Sequence, residues 1–197
     1  MQKTRDLLID VARQLFAKRG FDDTTMNDIA EASGKGRRTL YVYFSSKEDI
    51  YLAVIQNELA RLTKRLEEIT YMDVAPEKKM VHLIFTHLEA VKDAVYRNGN
   101  LRAEFFRDIW KVEGVRKDFD RNEIVLLRRI MQEGNDRGEF DIKNVKLMAV
   151  ITHYCIKGCE VPYIYGRIVV ATPEDLLPHV YSLVHKALGT MRKDFAY

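Results

Sequence analysis

The chain has 197 residues, of which 47% are hydrophobic and 31% charged, with a formal charge of only +3; this balance excludes a disordered chain and allows a sizeable buried core. Bulk charge makes no case for nucleic acid, because residues 1–50 hold nine Lys/Arg against eight Asp/Glu. Two cysteines, Cys155 and Cys159, make no disulfide framework, and no apolar run near Met1 suits a signal or a membrane span, so a cytoplasmic protein is expected.

Leu7, Leu8, Val11, Ala12, Leu15 and Phe16 form one apolar stripe, which predicts a first helix over about residues 4–19, stopped by Gly20. Thr25 is a candidate N-cap for the next helix, with Asp28 three residues on to complete a capping box, and Met26, Ile29 and Ala30 on one face. Gly34 and Gly36 are expected to break that helix and to supply positive backbone φ in the turn. From Arg37 a third short helix turns Leu40 and Phe44 inward and leaves Arg37, Arg38, Thr39, Tyr41 and Tyr43 to point elsewhere. Between Gly34 and Lys47 stand four cations, Lys35, Arg37, Arg38 and Lys47, and no carboxylate. Two short helices joined by a glycine turn, the second showing guanidiniums and phenols, follow helix-turn-helix logic, and the local patch suits a polyanion.

The run of Thr24-Thr25, Ile29-Ala30, Gly34, Thr39-Leu40-Tyr41-x-Tyr43-Phe44 and Ser46-Lys47-Glu48 resembles the DNA-binding domain of the tetracycline-repressor (TetR) family. The resemblance implies an all-α protein of about nine helices, with a three-helix DNA-binding domain over 1–50 and a helical effector-binding and dimerisation domain over 51–197. It implies double-stranded operator DNA as a partner, bound by a homodimer at a palindrome, with promoter occlusion relieved by a small-molecule effector. By the same resemblance Arg37, Arg38, Thr39 and Tyr41 fall where bases or nearby sugar-phosphate are met. Tyr43, Lys47 and Thr25, with Thr24 beside it, fall where the backbone is held. Lys35 replaces an apolar turn residue of the family and is expected to reach phosphate; Arg38 stands where a small residue is common and is expected to sharpen sequence preference.

Beyond the motif, Ser46 caps a predicted helix running to about Thr70, stiff for want of any Gly or Pro. Tyr71–Pro76 is a candidate boundary, followed by a helix to about Arg97 whose stripe includes His87. Gly114 is expected to divide an aromatic stretch over 101–112 from a helix over roughly 115–135. The segment 143–165 reads as a helix with Leu147, Met148, Ile151, Thr152, Cys155, Ile156, Cys159 and Tyr163 along one side. Thr172-Pro173-Glu174-Asp175 opens the last helix, striped by Leu177, Val180, Tyr181, Val184 and Leu188. Two helices with such wide apolar faces predict a dimer seam.

For the effector, aromatics with a few polar groups point to His87, Phe105, Phe106, Trp110, Tyr154 and Cys155 and to an apolar molecule, although a histidine on an apolar stripe is more often a satisfied core residue. His153, Cys155 and Cys159 do not converge on a metal, no cofactor signature is present, and no glycine-rich loop or nucleophile elbow suggests an enzyme. A helical protein-interaction adaptor without operator binding is the alternative.

Overall fold

The computed structural model describes residues 2–97, 109–168 and 173–189, which form eight α-helices and no strand. They are α1 (Gln2–Arg19), α2 (Met26–Ala32), α3 (Arg37–Tyr43), α4 (Lys47–Thr70), α5 (Pro76–Arg97), α6 (Ile109–Asp136), α7 (Val145–Ile164) and α8 (Pro173–Ala187). Two compact units result, one from residues 1–61 and 93–119 and the other from 62–92 and 120–197. No described helix is long and apolar enough to cross a membrane.

In the first unit Leu8, Ala12 and Phe16 of α1, Ile29 of α2, Leu40 of α3 and Ile50 and Val54 of α4 form one buried core. Phe21 extends it, its ring centroid 5.4 Å from Phe16 and 5.2 Å from Tyr51. Burying the leucine, isoleucine, valine and phenylalanine side chains among these contributes about 1.5–3 kcal/mol each, before conformational entropy is set against it.

In the second unit Leu66 of α4, Met80 and Leu83 of α5, Leu127, Ile130 and Met131 of α6 and Ile164 of α7 are fully buried. Gly114 does not divide the chain: α6 runs through it, since a single glycine weakens a helix without ending one. The end of α6 is built by Gly138, at φ +69°, and by Asn135, whose side chain clasps Ile142 through both backbone groups at 2.8 and 3.1 Å. Gly134 lets the Phe140 ring lie against the helix, since a Cβ there would sit 2.1 Å from that ring.

The inward face of α7 differs from the expected stripe. Ala149, His153, Ile156, Glu160 and Tyr163 point inward, while Leu147, Ile151, Tyr154 and Cys155 are exposed. Of the expected stripe Ile156 and Tyr163 are buried while Leu147, Ile151 and Cys155 face outward, because two ionisable residues, His153 and Glu160, share the buried face. Asn144 caps this helix by accepting from the Leu147 amide at 3.1 Å. Thr172, the expected cap of α8, lies outside the described residues.

Candidate nucleic-acid interface

Local hydrogen bonds fix α2 and α3 before packing does. The Thr25 hydroxyl accepts from the Asp28 amide at 3.2 Å, and the Asp28 carboxylate accepts from the Thr25 amide at 2.8 Å, closing the capping box. The same carboxylate takes the Thr25 hydroxyl proton at 2.6 Å, and these bonds, helped by Arg19, hold the Asp28 carboxyl below its ordinary value. At the far end Gly34, at φ +65°, donates to Glu31 O at 3.0 Å and the Lys35 amide donates to Ala30 O at 3.1 Å. This is the Schellman pattern, and it sets the turn angle. Gly36 does not share the positive φ expected of it: at φ −63° and ψ 148° it is the extended N-cap of α3.

Helix α3 then presents a continuous outer row. Arg37, Arg38, Tyr41 and Val42 are exposed, Thr39 and Tyr43 are half-buried at its flanks, and Leu40 and Phe44 are buried. Arg37 and Arg38 have no ion-pair partner among the described residues, so both guanidiniums present their donor forks outward. Sequence reasoning passed over Val42; the signal was its position, four residues after Arg38 and out of phase with Leu40 and Phe44.

The other expected DNA contacts flank α3 in the chain. Thr24 is fully buried, its hydroxyl donating to Gly20 O at 2.7 Å, because the α1–α2 loop needs that bond to turn. Lys47 is half-buried, its ammonium donating to Phe21 O at 2.6 Å and Asp22 O at 3.3 Å and lying 4.3 Å from the Phe21 ring centroid. It staples the start of α4 to the α1–α2 loop. Thr25 is exposed, but its hydroxyl is engaged by Asp28. Lys35 is half-buried in the turn.

The second unit carries a buried chain of opposite charges. Glu160 Oε1 lies 2.8 Å from His87 Nε2, and His87 Nδ1 lies 2.5 Å from Glu123 Oε1. Glu123 Oε2 lies 2.6 Å from His153 Nδ1, whose Nε2 is 3.8 Å from Asp120 Oδ2; the Lys157 ammonium donates to that same oxygen at 2.9 Å. Burial works against charging His87, but hydrogen bonds to Glu123 and Glu160 outweigh it and push its pKa up to about 9. The same contest at His153, won by Asp120 and Glu123, also ends at about 9. Burial favours the neutral acid at Glu123, yet the two imidazoles hold its carboxyl below the ordinary value.

His87 is thus a satisfied buried residue and does not share a surface with Tyr154 or Cys155, both exposed on α7. The helix phase that buries His153 turns its next two neighbours, Tyr154 and Cys155, outward. Phe105 and Phe106 lie outside the described residues, as does the side chain of Trp110.

Residues 8–54 match the family model of bacterial regulatory proteins, tetR family. The chain is 24% identical over 157 residues to the HTH-type transcriptional regulator QacR of Staphylococcus aureus, spanning 78% of this chain and 82% of that protein. It is 27% identical over 143 residues to the HTH-type transcriptional repressor KstR2 of Mycolicibacterium smegmatis, spanning 70% of each. In fold it is similar to a transcriptional regulator from Cytophaga hutchinsonii, with a TM-score of 0.75 at 23% identity, over 94% of this chain and 98% of that one.

Proposed function

The chain belongs to the TetR family and is a DNA-binding transcriptional regulator, and from this premise we propose that it is a homodimeric repressor of a palindromic operator, released by a small apolar effector. Residues 1–50 are the DNA-reading head, and residues 51–197 carry the effector and dimer functions. The observation that supports operator reading most directly is the outer row of α3, where two unneutralised guanidiniums stand beside Tyr41 and Val42 on a scaffold braced by buried Leu40 and Phe44. Arg37 and Arg38 suit bidentate pairing with guanine, Thr39 and Tyr41 suit bases or the adjoining sugar-phosphate, and Tyr43 suits the flanking backbone.

The dimer reading rests on α7 and α8. Leu147, Ile151 and Tyr154 on α7 and Leu183 on α8 are exposed apolar side chains, and covering them with a second copy removes them from water. An effector that binds the non-DNA state more tightly by a few kcal/mol is sufficient for release.

Selection of bound duplexes from a random pool tests this reading. Two inverted half-sites, with centres spaced by whole helical turns, are expected, and affinity should fall steeply with salt. Enrichment of a single unrepeated site would remove the dimeric operator, and no enrichment would remove sequence-specific binding.

A further inference from the structure

Val42 is 68% exposed, more than any other large hydrophobic side chain among the described residues. It takes no part in the core of the first unit, where α3 contributes Leu40 and the following Phe44. An exposed β-branched residue also favours helix less than alanine would, so neither packing nor helix formation accounts for it. Arg38 lies one turn before it on the same face, and Tyr41 is adjacent. An apolar protein partner laid on this row would have to desolvate two unpaired guanidiniums, which is unfavourable. The major groove answers both features: acceptor edges and phosphates for the cations, and one apolar group, the C5 methyl of thymine.

We propose that Val42 is a specificity-determining residue whose two methyl groups pack against a thymine C5 methyl in each half-site. The proposal rests on the operator-binding reading and deepens it by naming a base. Four residues of α-helix rise about 6 Å, and stacked base pairs are spaced about 3.4 Å apart. The thymine therefore falls within about two base pairs of the base that Arg38 meets.

The test uses the full-length protein and the duplex recovered from the random-pool selection, made either with thymidine or with 2′-deoxyuridine at single positions. The exchange deletes one methyl group and leaves every Watson–Crick and groove hydrogen bond in place. At one thymine in each half-site, deoxyuridine should weaken binding about fourfold, the value of one buried methyl-sized group. Val42→Ala should bind the thymidine duplex correspondingly less well and lose its sensitivity to deoxyuridine at that position, while Val42→Ile should keep it. Equal thermal stability of the variants, expected for so exposed a site, separates contact loss from misfolding. Insensitivity of the wild type to every deoxyuridine exchange, an operator with no fixed thymine, or undiminished sensitivity in Val42→Ala would each overturn the assignment. None of these outcomes touches operator binding itself, which fails only if no duplex is selected.

Discussion

Glu123 Oε2 lies 2.6 Å from His153 Nδ1, and both side chains are at most 1% exposed. Its other oxygen faces His87, so one carboxylate from α6 neutralises an imidazole from α5 and another from α7. Glu123→Gln would leave two buried imidazoles without their shared anion. A loss of about 3–5 kcal/mol is expected, the cost of breaking a buried pair by removing one partner. Denaturant titration followed by circular dichroism reads it, and a loss within about 0.5 kcal/mol, as at an ordinary surface site, would contradict the charge assignment.

The same cluster gives stability a pH profile. His87 and His153 titrate near pH 9 when folded and near 6.5 when unfolded, so their contribution is complete below pH 6.5 and drains away as pH rises through 9. Glu123 behaves oppositely: its folded pKa is depressed below 4.5, so its contribution is present above 4.5 and is lost as pH falls through the depressed value. Facing these groups are Glu160, Asp120 and Lys157, whose charges complete the chain. Melting temperature should fall between pH 6.5 and 9 in the wild type, and fall less over that range in a His87→Gln, His153→Gln double variant.

Arg38→Ala and Lys47→Ala should separate reading from bracing. Arg38 is exposed and has no ion-pair partner among the described residues, so its loss should reduce discrimination between operator and random DNA and leave thermal stability unchanged. Lys47 donates to two backbone carbonyls and lies over an aromatic ring, so its loss should cost about 2 kcal/mol of stability and weaken all DNA binding alike. Paired melting curves and competition binding distinguish the two variants; unaltered stability in Lys47→Ala would return that residue to the phosphate role.

Gly134→Ala should destabilise the second unit by about 1–3 kcal/mol, since the added Cβ meets the Phe140 ring at 2.1 Å and the ring must move. A Phe140→Ala background should shrink that penalty, which a double-mutant cycle measures.

Ile151→Glu should dissociate the proposed dimer. Ile151 is exposed on α7 beside Leu147 and Tyr154, so the substitution leaves the subunit core intact. Analytical ultracentrifugation should then report the monomer mass with unchanged helix content.

Much of the first unit was legible in the sequence because its signals are local. The Thr25–Asp28 capping box, the helix restart at Arg37 and the inward Leu40 and Phe44 each depend on neighbours within a turn or two. The approximate spans of α4 and α5 were equally plain, with Ser46 and Pro76 marking their starts. What sequence concealed were long-range satisfactions. Nothing near Lys47 says that its ammonium reaches carbonyls about 25 residues away, and nothing near Thr24 says that its hydroxyl turns inward. The helix α7 misled for a related reason: its apolar residues exceed what one face holds, and the buried face was decided by His153 and Glu160 finding partners on α5 and α6. One usable signal remained, an acid at position 123 in phase with Phe119, Leu126, Leu127 and Ile130.

A chain of alternating charge from Glu160 through His87, Glu123 and His153 to Asp120 and Lys157 constrains how the second unit deforms. Spinning any of the three helices about its axis would swing an ion out of register, whereas gliding the three together would leave every link intact. For the effector response proposed above, this wiring favours concerted displacement of the three helices over rotation of any one of them alone.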